Sequence, residues 1–218
     1  IRRAGRKDTG GMSMLAFFPD AATLATFVVA CLALNLTPGA DMMFSVASGA
    51  SGGARAAVAA SFGINMGVVA HIILAAGGVA ALIAAEPLAY DAIRYFGAAY
   101  LVWLAINMWR APAPNVAAAK KTPLTRVAAR GFMTNILNPK TALFVFAFLP
   151  QFADPTRGAI WAQIAILGAI FIATGFTTNA VVGALAGAAT SRLRAASRVM
   201  NRLSALVFGG LAARLVID

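Results

Sequence analysis

Two stretches of this chain run uncharged for longer than a membrane is thick. Ala56–Ala85 and Gly158–Ser191 contain no Asp, Glu, Lys or Arg. Each exceeds the ~20 apolar residues with which a helix crosses a bilayer. Backbone in lipid must satisfy its own hydrogen bonds, which favours helices over open strands. The rest of the chain agrees: 61% of residues are hydrophobic and 11% charged, whereas a soluble domain is about half apolar and a quarter charged. The expected fold class is an all-α polytopic membrane protein. Six spans are read, at roughly 21–47, 57–84, 91–109, 128–149, 159–189 and 200–217. They group as a tail (1–20), a first three-helix unit (21–110), a Pro/Ala/Lys linker (111–127) and a second three-helix unit (128–218).

The net charge of +11 could suggest nucleic acid, but its placement argues for topology. The connections after spans one, three and five carry Arg55, then Arg110, Lys120, Lys121, Arg126 and Arg130, then Arg192, Arg194, Arg198 and Arg202, with no acid among them. The other connections and the C-terminus carry Glu86, Asp91, Arg94, Asp154, Arg157, Arg214 and Asp218. By the positive-inside rule the basic loops are cytoplasmic and the C-terminus is periplasmic. Basic loops of this kind touch anionic lipid heads, and no nucleic-acid partner is expected. The tail "IRRAGRK" fits poorly outside. Met12 or Met14 is a natural start, which would make residues 1–11 upstream translation; alternatively the first segment is re-entrant and the tail cytoplasmic.

Two proline-interrupted segments stand out. "NLTPGADMMF" (35–44) lies inside span one and "NILNPKTALF" (135–144) inside span four. Proline and glycine break helices, and an isolated buried acid is costly. With three spans between them, the halves have opposite orientation. Paired breaks at matching places point to an inverted-repeat transporter with a site near the midplane. Thr37 and Asn138 are suited to cap new half-helices that begin with Pro38 and Pro139. The free N–H groups at such starts bind carboxylates. Asp41 suits the first turn of its half-helix and Lys140 opposes the dipole of its own. A buried Asp41–Lys140 pair is therefore expected. The substrate and ion pathway is assigned to Thr37, Pro38, Gly39, Asp41, Asn138, Pro139 and Lys140.

Further residues are weaker candidates. Asn65, His71 and Asn179 could line a cavity or relay protons, His71 because it titrates near neutral pH. A neutral His71 bonded to a backbone carbonyl is the structural alternative. Asn65 and Asn107 could bond between helices, and Thr177, Thr178 and Asn179 form a polar cluster in span five. Gly63 with Gly67, and Gly183 with Gly187, have the spacing of close helix packing, within a subunit or in a homo-oligomer. Tyr90, Tyr95, Trp103 and Trp109 read as interface anchors. Phe144, Phe146 and Phe148 read as packing or lipid contacts. One Cys (Cys31) and one His build neither a disulfide nor a Cys/His metal cluster, and no P-loop is present, so no cofactor is expected.

The segments "ALNLTPGADMMF", "GINMGVVAHIILAAGGVAALIAAEPLAYDAIRYFGAAYLVWLAINMWRAP" and "RGFMTNILNPKTALFVFAFLPQF" together resemble the lysine exporter (LysE/RhtB) family of bacterial amino-acid efflux proteins. The likeness runs from about Phe17 to Leu215. The family often reads TPGP, whereas Ala40 follows Gly39 here. The resemblance implies an inner-membrane exporter of an amino acid or close derivative, driven by proton antiport. An enzyme is the rival: "GASG" (49–52) matches the G-x-S-G of rhomboid-type intramembrane serine hydrolases, with His71 as base. Ser51 would then lie in the loop before span two, with His71 roughly 21 Å down that helix from its start near Ala57, too far for a nucleophile and its base. A channel or structural membrane protein is a third reading.

Overall fold

The computed structural model describes residues 18–79, 87–110 and 122–217. The N-terminal tail, Glu86, most of the linker (111–121) and Asp218 lie outside these residues. The side chains of Tyr90, Arg192, Arg194, Arg198 and Arg214, and the packing of Gly187, are likewise outside what is described.

The described residues are helical, with no strand among them. Helix α1 is Ala21–Leu36, with Asp20 capping it by accepting from the N–H groups of Ala22 and Thr23. Helix α2 is Ala40–Leu74 and runs on into a π-helical turn, Ala75–Val79. Helix α3 is Pro87–Arg110. Helix α4, Leu124–Ile136, starts inside the stretch read as linker. Helix α5, Pro139–Leu143, is extended by a π turn, Phe144–Phe148, and a 3-10 turn, Leu149–Phe152. Helix α6 is Ile160–Ile217.

Two of these helices are folded back on themselves. In α2, Gly53 has φ 70° and ψ −169°, a conformation almost confined to glycine. A Cβ at Gly183 would lie 2.8 Å from both the Ser45 carbonyl oxygen and the Ala57 Cβ. On a straight helix residues 45 and 57 would be about 18 Å apart. Meeting one point requires the chain to reverse between them, at Gly53. In α6, Thr174 accepts from Asn35 and Ser204 donates to the Ala33 carbonyl. Two residues of α6 (Ile160–Ile217) thus reach one turn of α1, whereas on a straight helix they would lie about 45 Å apart. Its apolar segments Ile160–Ala186 and Val199–Ala213 therefore lie side by side.

Counted this way, the described helices form six rods, as expected from the uncharged runs. By length and composition, Ala40–Gly78 and Ile160–Ala186 suffice to cross a membrane, and so do Leu124–Ile136 and Pro139–Phe152 taken together as one bent pair. That pair is bent by 55° at the NPK break. The first rod is broken at TPG, between Leu36 and Ala40.

The rods approach closely where side chains vanish. Gly63 of α2 rests on the Ala128 carbonyl of α4, and Gly49 on the Gly183 carbonyl of α6. This is the close-packing role read for the glycine pairs, here within one subunit. The apolar core gathers Phe27 of α1, Phe144 and Phe148 beyond the second break, and Phe171 and Phe208 of α6. The ring centroids of Phe144 lie 5.0 Å from Phe148 and 4.8 Å from Phe171. Of the aromatics at span ends, Tyr95, Trp103 and Trp109 are exposed.

Gly53→Ala should cost about 1–3 kcal/mol, because it forces a Cβ into a glycine-only conformation. The melting temperature of the purified protein should fall by several degrees. Gly77→Ala, where a Cβ meets nothing within 4 Å, should not lower it, since alanine favours the helical turn over glycine.

Candidate functional site

The two breaks face each other, and each is completed by a charged residue from the other half. Where α1 ends, its last carbonyls have no partner within the helix. Lys140 reaches across from α5 and donates from Nζ to the carbonyls of Leu34 and Thr37, both at 3.1 Å. The lysine passes over Gly39, where a Cβ would sit 2.9 Å from Nζ, so a larger residue there would push the cation aside. A cation at a helix C-terminus is favoured by the dipole. Lys140 is unfavourable for its own helix and favourable for α1.

Asp41 is the counterpart. It lies in the first turn of α2 and its Oδ2 accepts from Asn135 Nδ2 and Asn138 Nδ2, each at 2.9 Å, and from Thr141 Oγ1 at 3.1 Å. Those three residues flank the start of α5, so the carboxylate sits where that helix presents its positive end. Asn138 caps α5, its Oδ1 accepting from the Lys140 N–H at 3.1 Å, and Pro139 takes the first turn, as expected.

Two expectations are corrected here. Among the described residues no ion pair within 4.0 Å joins Asp41 to Lys140; each charge is held by amides, a hydroxyl or carbonyls instead. Lys140 goes to the carbonyl end of α1, which needs a donor, and Asp41 goes to amides and a hydroxyl that need an acceptor. Thr37 does not cap a new helix. It ends α1, with Oγ1 donating back to the Ala33 carbonyl at 2.6 Å. The cap of α2 is Gly39, which has no side chain to offer, so the first N–H groups of α2 stay free of a side-chain partner.

Beside the breaks lies a cavity of about 20 Å³, lined among others by Asp41, Lys140, Thr141, Asn65 and Asn179. It has room for a water-sized group and not for a whole amino acid. A larger pocket of about 310 Å³ lies toward Gly53, lined by Phe44, Ser48, Ser51 and Arg130. Phe44 and Ser48 are one and two turns along α2 from Asp41.

The remaining candidates divide. Asn65 and Asn179 are buried on the cavity. His71 is buried behind it: Nε2 donates to the Asn135 carbonyl at 3.4 Å, and the ring stands edge-on to Phe146. Asn107 does not bond between helices; it faces outward and donates to the Trp103 carbonyl of its own helix. The span-five cluster splits, with Thr177 exposed and bonded to the Ala173 carbonyl. Ser51 donates to the Ser48 carbonyl, and it shares no bond with His71. Asn135 and Thr141 were missed. Their spacing of three residues on either side of Asn138 was the available signal. Gly67 makes room for Asn135, whose Oδ1 a Cβ there would meet at 2.6 Å.

The family model described as LysE type translocator matches residues 32–218. The chain belongs to the LysE translocator family. Among its relatives is a homoserine/homoserine lactone efflux protein of Salmonella typhimurium, 34% identical over 67% of this chain and 75% of that protein. A leucine efflux protein of an Enterobacter species is 29% identical over 87% of this chain and 93% of that protein. An uncharacterized membrane protein of Vibrio cholerae is 37% identical over 72% and 75%. No solved structure matches. The named relatives are amino-acid efflux proteins, and this chain, as a member of that translocator family, is a transporter and not an enzyme.

Lys140→Met should leave the buried Thr37 carbonyl without a donor, at about 1–3 kcal/mol, and the Leu34 carbonyl with the Thr37 N–H alone. The melting temperature in detergent should fall by about 3–10 °C. An unchanged melting point would mean that the end of α1 is satisfied some other way.

Proposed function

We propose that the protein is a secondary active exporter of an amino acid or close derivative in the bacterial inner membrane. It works by proton antiport and alternating access at a midplane site between the two breaks. The basic loops are cytoplasmic and the C-terminus periplasmic, in keeping with the positive-inside rule. The observation that carries this reading is the crossing of charges between the breaks: Lys140 donates to the carbonyls at the end of α1, and Asp41 accepts from the side chains around the start of α5. Ionisable groups held within a span mark substrate and proton pathways.

The order of elements supports an inverted repeat. Each half starts with a rod broken before or at a proline and continues with two unbroken rods. The uncapped start of α2 beside Lys140 suits a substrate carboxylate, since the start of α5 already holds Asp41. The pocket near Gly53 offers an approach from the side of the basic loops, and admission of an amino acid requires the closed cavity to widen. Homoserine and its lactone, named for one relative, share an ammonium-bearing carbon, while only the open acid has a free carboxylate. Carried over to this chain, the amino group is the feature its substrates share.

The test uses purified protein in liposomes with an imposed pH gradient, following leucine, homoserine and homoserine lactone. Wild type should move at least one of them in a gradient-dependent way. Asp41→Asn, which keeps an acceptor oxygen but cannot carry a proton, should reduce that flux at least ~100-fold while remaining folded. Undiminished flux in the variant would remove Asp41 from the coupling, and flux indifferent to the gradient would point to a channel.

A further inference from the structure

The cavity beside the breaks is lined by oxygens that have nothing to accept from. Asp41 uses Oδ2 three times and Oδ1 not at all. Asn65 Oδ1 and Asn179 Oδ1 are likewise buried without a partner. Their residues are 8%, 3% and 5% exposed. The Asn65 amide has its orientation set, because Nδ2 donates to the Ser61 carbonyl at 2.8 Å. Asn35 adds a fourth oxygen at the rim: Nδ2 donates to Thr174 Oγ1 at 3.1 Å, which leaves Oδ1 over. The Cβ position of Gly175 lies 3.3 Å from Asn35 Oδ1 and 3.6 Å from Asn65 Oδ1, so α1, α2 and α6 bring these oxygens together.

A buried acceptor left unpaired is unfavourable and calls for an explanation. Several of them on one cavity, with a carboxylate among them, describe a ligand that donates several hydrogen bonds and carries positive charge. A water has two protons to give and no charge. A bare divalent ion takes six or more oxygens, more than are present. An ammonium group has three protons, a unit charge and the size of a water, which is the size of this cavity.

We propose that Asp41, Asn65 and Asn179, with Asn35 at the rim, form a subsite for the primary ammonium group of the ligand. This deepens the exporter reading by assigning the amino end of the substrate. It rests on that reading only for what the ammonium is attached to. Lys140 is the other charged residue lining the cavity, and its Nζ is directed to the carbonyls of α1. His71 stands behind Asn135. A proton arriving on Asp41 would take the same oxygen that holds the ammonium, so proton and substrate exclude one another at one atom. That exclusion is what antiport requires.

The test uses the full chain in detergent and methylammonium chloride, the group without the rest of a substrate. Thermal unfolding is followed against tetramethylammonium chloride, which has the charge and no N–H, and against sodium chloride. Methylammonium alone should give a saturable rise of about 3 °C at tenfold its half-saturating concentration. Asn65→Ala and Asn179→Ala should raise the half-saturating concentration at least about tenfold. Asn179→Asp, which adds charge, should lower it severalfold, so a variant that strengthens binding complements those that weaken it. An equal rise with tetramethylammonium, a rise with sodium instead, or variants that bind as wild type would each overturn the proposal. The readout needs no transport. Failed flux with this shift intact would remove the exporter reading alone, and intact flux without the shift would remove the subsite alone.

Discussion

Two broken helices meet at the centre of this protein, and each leaves buried polar groups that the other must satisfy. Buried backbone has no water to bond, so what a break leaves open must be met by protein. Lys140 meets the carbonyl end of α1, and Asp41 meets the amide end of α5 through Asn135, Asn138 and Thr141. Each charge comes from the opposite half of the chain. Neither break is complete alone, and the halves are tied together at the place where each is weakest.

The surrounding fold makes that crossing possible. Gly53 turns the chain back so that the two legs of α2 flank Gly183. Gly63 lets α2 touch the backbone of α4, which brings Asn135 within reach of Asp41, and Gly39 clears the path of Lys140. The aromatic group around Phe144 fixes the stretch beyond the second break. On the cavity side polar and apolar residues alternate, and several of the oxygens are without a partner. A packed wall facing an unsatisfied one is suited to a site that admits a polar guest and must let it go.

Much of this was legible in the residues. The uncharged runs define the spans, and Pro38 and Pro139 locate the breaks. Asn138 before Pro139 reads correctly as a helix start. Asp41 and Lys140 stand out because charge is scarce at that depth. What escaped was relative placement. Two opposite charges suggest a direct pair, and nothing in one dimension shows that a helix end would take one and a set of side-chain donors the other. Thr37 before a proline looks like a helix start; it ends a helix because Gly39 takes the capping position. Asn135 and Thr141 carry ordinary polar side chains, and their role appears once the 55° bend turns both toward Asp41. The outward Asn107 shows the converse, a polar residue that satisfies itself on its own helix.

The central claim is that the breaks enclose a site opened to each side of the membrane in turn. Cys31 is the one cysteine and is fully buried, so a Cys31→Ala background allows a single reporter. Met42→Cys would place a thiol on the cavity, next to Asp41. The measurement is its labelling in sealed vesicles by a membrane-impermeant thiol reagent added to one face or the other, with the pH gradient set in each direction. The account predicts labelling from both faces, with reversal of the gradient changing which face is faster. Labelling confined to one face under both gradients would contradict it.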